Sequence, residues 1–250
     1  MRKLINTLLL SILALSATAQ QKITLKLAPE LNKPVKYEMV NKMDVEGPQT
    51  VMMDMLMQMD MSYSKVQDSL LNISAKYTYV KVDIDAGLMT ATYDSSKEPS
   101  TEMEKMFASQ FKPLLENTLT YTMNTLGQIK EVDFPNVSEQ IFDKSSLSSL
   151  GTTYPNHSVS IGDSWTAENK MEQLGVNAKS KFTLTEKNAE GYKIESVVDL
   201  EDATGNKVGT TTGYFIVDPK TFVTISSSTE SNISMQGATI KTKTELKEVK

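Results

Sequence analysis

The chain has 250 residues, a formal net charge of −5, one histidine, 15 methionines and no cysteine. Without cysteine there can be no disulfide framework and no lipid anchored on a thiol, so stability has to come from packing. Arg2 is the only arginine, so beyond it the chain lacks the planar, bidentate group that usually serves nucleic-acid, nucleotide and phosphoryl-transfer sites.

Met1 to Ala19 reads as a signal peptide: Arg2 and Lys3 precede the short apolar run Leu4 to Leu15, and Ala17-Thr18-Ala19 is a small-residue cleavage site. The run is too short for a membrane span. The expectation is a periplasmic or secreted chain, soluble after cleavage, with residues 20–250 forming a single domain and no transmembrane segment.

A first strand is expected at Val35 to Val45. Glu46-Gly47-Pro48-Gln49 then turns the chain into Val51 to Tyr63, where Val51, Met53, Met55, Met57, Met59, Met61 and Tyr63 alternate with Met52, Asp54, Leu56, Gln58, Asp60 and Ser62. Such alternation predicts a β-strand roughly 40 Å long, with one face of thioethers. Each methionine buried there gains about 1.5–3 kcal/mol over one left in water, so the face must meet a core, an apolar ligand, a partner or a soft metal. Strands follow at Ile73 to Ile84 and Leu88 to Tyr93, joined by a turn at Asp85-Ala86-Gly87.

The period then changes. Met103, Met106, Phe107, Phe111, Leu114 and Leu115 fall at helical spacing, and Thr101 and Glu104 are placed for a capping box. Pro113 should end or kink this helix near Lys112. Strands at Thr118 to Met123 and Ile129 to Phe134 flank a turn at Gly127, and a second helix is expected from Asn136 toward Leu150. Six further strands are expected: Ser164 to Asn169, Ala178 to Lys187, Tyr192 to Leu200, Lys207 to Val217, Phe222 to Ser231 and Ala238 to Val249. Threonine-rich runs such as Thr210 to Thr212 and Thr239 to Thr244 suit a half-exposed strand surface.

About a dozen antiparallel strands with two helices exceed what an open twisted sheet usually holds flat. The expected fold is therefore mainly β: a large curved antiparallel sheet, a half-open barrel, with both helices on its concave side.

Enzyme chemistry has little to stand on. His157 sits in a proline turn, and no Gly-x-Ser-x-Gly elbow accompanies it. No metal site is expected: one histidine and no cysteine leave zinc only carboxylates, and Asp83-x-Asp85-x-Gly87 lacks the remaining positions of a calcium loop. In Gly162-Asp163-Ser164-Trp165, the glycine permits a turn, Asp163 caps it and Trp165 enters the core. Tyr77 and Tyr79 should share a strand face.

Several segments together carry a resemblance. They are the leader, the Val-x-Tyr opening strand, Pro113 to Phe134 with its Leu126-Gly127-Gln128-Ile129 turn, and Tyr154-Pro155-x-x-x-Val159-x-Ile161-Gly162-Asp163-Ser164-Trp165. The chain resembles an uncharacterised family of secreted Bacteroidota-type proteins, and through it the half-barrel of periplasmic lipoprotein carriers and lipid-binding lipoproteins. That resemblance implies a non-enzymatic binder of a lipid, an acyl chain or a lipidated protein, with no cofactor and no nucleic acid. It departs from the carriers in lacking their arginine latch and from the lipoproteins in lacking the tethering cysteine.

The expected ligand-binding residues are Met53, Met55, Met57, Met59 and Met61, facing Met103, Met106, Phe107 and Phe111 of the first helix. Two alternatives stay open. One is a periplasmic Cu(I) protein using the Met53 to Met61 stripe, and the other is an interaction subunit whose methionine face is covered by an envelope protein partner.

Overall fold

The computed structural model describes residues 22–48, 50–67, 69–87, 89–134, 152–171, 175–235 and 237–249. The leader and the second helix expected at 136–150 both lie outside these residues.

The strands are β1 (Val35–Glu46), β2 (Val51–Gln67), β3 (Leu70–Asp85), β4 (Thr90–Asp94), β5 (Leu119–Asn124), β6 (Ile129–Asp133), β7 (Ser164–Met171), β8 (Val176–Lys187), β9 (Tyr192–Glu201), β10 (Lys207–Val217), β11 (Thr224–Met235) and β12 (Ala238–Val249). A single described helix, α1 (Glu102–Glu116), interrupts them. All twelve strands belong to one antiparallel sheet in the order β6-β5-β3-β2-β1-β12-β11-β10-β9-β8-β7, with β4 paired to the far half of β3. β6 and β7 do not pair, so the barrel stays half open.

The centre of the sheet is the seam between the first and last strands, where Lys36 pairs with Val249 and Glu46 with Thr239. On β12 the alternation is strict. Thr242, Thr244 and Leu246 turn inward, while Lys241, Lys243, Glu245 and Lys247 are exposed. Next to it, Met39 lies opposite Met57 and Tyr37 opposite Met59, so the thioether row lies on the concave side.

One residue breaks that order on β3. The β2–β3 register shifts at Gln58/Met59, so that Met59 pairs with Tyr77 and Gln58 with Tyr79. Thr78 is the extra residue, its hydroxyl donating to the Gln58 carbonyl at 3.3 Å. A bulge reverses the facing of everything beyond it. Tyr77 is therefore buried and Tyr79 half-buried on the opposite face, contrary to the expectation that they share one.

Helix α1 starts as expected. The Glu104 N–H donates to the Thr101 hydroxyl at 3.2 Å, and the Glu104 carboxylate accepts from the Thr101 N–H at 3.1 Å. It does not end at Lys112. Pro113 lies inside the helix, which continues to Glu116. The final turn holds because Leu114 is buried and because both the backbone N–H and the side-chain amide of Asn117 donate to the Pro113 carbonyl, at 3.1 and 2.7 Å. Phe107 and Leu114 join one apolar cluster with Met57, Met59, Val80 and Val82, so the helix covers part of the concave face. Tyr93 of β4 stacks on Phe111 with ring centroids 5.8 Å apart.

The opposite half of the sheet has its own cluster, centred on Trp165, Phe182, Leu184, Ile194 and Phe215 and including Leu25 of the N-terminal segment. That segment, residues 22–34, straps one end of the half-barrel. Ile23 bridges Val159, the Leu27 N–H donates to the Thr125 carbonyl at 2.8 Å, and the Ala28 N–H donates to the Thr221 carbonyl at 2.8 Å. The Asn32 N–H reaches the Tyr63 carbonyl at 2.7 Å.

Candidate functional site

Between the two clusters lies a partly open hollow of about 470 Å³. Its two walls differ in chemistry. β1, β2, β3 and β5 contribute large side chains, among them Met39, Met59, Met61, Tyr77 and Tyr121. β10, β11 and β12 contribute Phe215 and Leu246 but mostly small side chains, among them Thr211, Ser227, Thr229, Ser231, Thr242 and Thr244. Register accounts for the second wall, since Thr211 pairs with Ser231, Thr229 with Thr244 and Ser231 with Thr242, which stacks hydroxyl side chains across three strands. The hollow exists because these strands place serine and threonine where the neighbouring strands place methionine and aromatic residues.

The hydroxyl wall was not anticipated. The Thr239 to Thr244 run reads as surface because lysines alternate with its threonines. In fact Thr242 and Thr244 face the hollow while the lysines face outward. The period-two pattern carried this signal, but it gave no indication of which face was inward.

Of the expected ligand-binding residues, Met59 and Met61 line the hollow. Met57 is 5% exposed and packs with Phe107 and Leu114 under the helix, and Met53, Met55, Met103 and Phe111 pack against the same cluster. Met106 is 45% exposed on the helix surface. The structure thus divides the nine: two form part of the wall, six belong to the packing behind it or to its margin, and one points away from the core.

None of the described residues lining the hollow is charged. Its tyrosines are neutral phenols, because burial raises their pKa: Tyr63 is pushed up to about 12, and Tyr37, Tyr77, Tyr121 and Tyr154 also lie well above the ordinary value. The negative charge of Glu248, paired in register with Tyr37, contributes to the rise at Tyr37. Some of the polar atoms are already committed. The Tyr37 hydroxyl donates to the Thr224 carbonyl at 2.8 Å and the Tyr154 hydroxyl to the Phe222 carbonyl at 2.6 Å. The Thr211 and Ser231 hydroxyls bond each other at 2.9 Å, and Thr244 accepts from the Asn41 amide at 2.8 Å.

Thr152 differs from these. It lines the hollow, is 7% exposed, and its hydroxyl has no hydrogen-bond partner among the described residues. Its position depends on Gly127, which has φ +80° and lies so close that a Cβ there would strike the Thr152 carbonyl. Beside this contact the Tyr154 N–H donates to the Leu126 carbonyl at 2.8 Å.

The other motifs resolve into structure. His157 is exposed, with Nδ1 3.3 Å from the Asn156 side-chain oxygen. Asp83 is held by Lys81 Nζ and by the Thr92 hydroxyl, both at 2.8 Å. The Lys81 hydrogen bond lowers its pKa, and Asp85 accepts from the Gly87 N–H at 2.9 Å. Gly162 has φ +96°, Asp163 accepts from the Ser160 N–H at 2.8 Å, and the Trp165 indole donates to the Thr153 carbonyl at 2.6 Å. Among the described residues, no group of three or more His, Cys, Asp or Glu side chains is placed to hold a metal ion. No described helix is long and apolar enough to cross a membrane.

No curated protein matches the chain. Among solved structures, it is similar to a domain described as that of an outer membrane lipoprotein-sorting protein from Vibrio parahaemolyticus. The identity is 8%, covering 86% of this chain and 85% of that one, with a TM-score of 0.26. It is also similar to a DUF1329 family protein from Desulfovibrio piger ATCC 29098, at 7% identity over 87% of each chain with a TM-score of 0.29. A family model covers most of the sheet, matching residues 68–148 and 135–243, and on that match the chain belongs to the family of unknown function DUF6263.

Proposed function

We propose that the protein is an exported, non-enzymatic binder that holds an apolar ligand, a lipid or the acyl chain of a lipid or lipidated protein, in the hollow of its half-barrel. The observation that carries this reading is the hollow itself. Its volume of about 470 Å³ lies within the range of small-molecule sites, and it opens between two packed clusters rather than being filled by them. Met59 and Met61 supply adaptable contacts. The helix cluster behind them, with Met57, Phe107 and Phe111, is the rigid backing that keeps the wall in place.

Native mass spectrometry of the protein released gently from its source envelope tests the reading. The expected result is a bound mass that organic extraction removes, together with slower oxidation of Met59 and Met61 when lipid vesicles are added. No extracted lipid and an unchanged oxidation rate would reject it. A Thr229→Phe substitution is expected to fill the hollow and abolish the bound mass while the protein still melts as a folded chain.

A further inference from the structure

We infer that the hollow selects uncharged amphiphiles: an apolar chain lies on the methionine and tyrosine wall, and a hydroxyl, ester or amide group meets the serine and threonine wall and the Thr152 hydroxyl. This rests on the apolar-ligand reading above and narrows it to a chemical class.

Three observations carry it. First, a purely hydrocarbon ligand would leave the serine and threonine part of the lining mismatched, because β10 to β12 present hydroxyls there where apolar side chains would pack at no polar cost. Second, the described residues of the lining include no lysine, arginine or histidine, so a carboxylate or phosphate drawn against them would be an unpaired buried ion. Glu248, whose field reaches Tyr37, is of the wrong sign to help. Third, Thr152 lines the hollow, is more than nine-tenths buried, and its hydroxyl has no partner among the described residues. Native structures rarely leave such a group unbonded, and a rotation of the side chain about χ1 toward the hollow would let a polar atom of a ligand satisfy it. Gly127 and Tyr154 hold it in place through backbone contacts that owe nothing to any ligand.

The experiment compares two probes with the same chain, 1-monomyristoylglycerol and sodium myristate, titrated into the full chain without its leader at pH 8.5. The monoester is expected to bind at least tenfold more tightly. Thr152→Val is expected to weaken the monoester about fivefold, the size of one lost hydrogen bond, and Thr152→Ser to retain it. Thermal melts of both variants establish that they are folded. Equal or tighter binding of myristate overturns the selectivity and leaves the apolar-ligand reading standing. Unchanged monoester binding by Thr152→Val also overturns the inference, by showing that a trapped water already satisfies the hydroxyl. If neither probe binds and the envelope-derived protein carries no lipid, the apolar-ligand reading itself fails.

Discussion

Thr152 costs stability that folding alone does not require. Its buried hydroxyl, with no partner among the described residues, loses its hydrogen bonds to water and gains nothing from them in return. Replacing it with valine, similar in shape but without the hydroxyl, should therefore stabilise the ligand-free protein by about 1 kcal/mol, which for a chain of this size raises the melting temperature by about 2–4 °C. Differential scanning calorimetry of the delipidated variant checks this, and a fall in melting temperature would mean that the hydroxyl is already satisfied. The residue that places Thr152 should behave in the opposite way. Gly127 has φ +80° and no room for a Cβ beside the Thr152 carbonyl, so Gly127→Ala combines backbone strain with a clash against main chain that cannot swing aside. It is expected to cost about 1–3 kcal/mol in urea denaturation. The sequence marks Gly127 as a turn residue, which it is. Nothing in it reveals that the tight constraint comes from a segment beyond β6, because a close backbone approach leaves no mark except the missing side chain.

Strands and turns were the most legible level, because burial on one face writes period two into the sequence and turn chemistry writes the boundaries. The Asp202 turn shows how local that information is. Its carboxylate accepts from the Thr204 N–H at 2.9 Å, the Thr204 hydroxyl at 2.7 Å and the Asn206 N–H at 2.9 Å, which holds its pKa at about 2. Asp94 is held at about 2 in the same way by Ser96, with Lys97 assisting. A carboxyl lowered from 3.8 on folding binds fewer protons in the folded than in the unfolded chain. What these turns add is thus complete above about pH 4 and is lost as the pH falls toward 2. Amide exchange at Ser96, Thr204 and Asn206 should accelerate over that window beyond its intrinsic pH dependence, and Asp202→Asn should abolish the change at Thr204 and Asn206 alone. Where tertiary packing overrides local rules, reading the sequence fails. Pro113 is tolerated in α1 because Leu114 is buried and Asn117 caps the final turn. Thr78 forms a bulge that no composition signals, and it turns Tyr79 away from Tyr77.

At the scale of the molecule the governing fact is the β1–β12 seam. The two strands meet along eleven register pairs from Lys36–Val249 to Glu46–Thr239, and they join two meanders that otherwise follow chain order. A half-open barrel was predictable from strand number, since so many strands must curl. This seam was not, because pairing between the ends of a chain leaves no local trace, and the hollow was hidden for the same reason. Its bulky wall comes from strands before the open gap and its hydroxyl wall from strands after it, so only the seam brings methionine opposite threonine. Closing such a long loop is entropically expensive and should make this pairing a late and slow step in folding. Ending the chain at Gly237 removes β12 and leaves β1 and β11 as bare, long edges in the middle of the sheet. The truncated protein is expected to lose its single cooperative unfolding transition, to associate through those edges in sedimentation experiments, and to hold no ligand. A monomeric truncation that melts sharply and still binds the monoester would show that each meander folds and functions alone, and that the hollow does not depend on the seam.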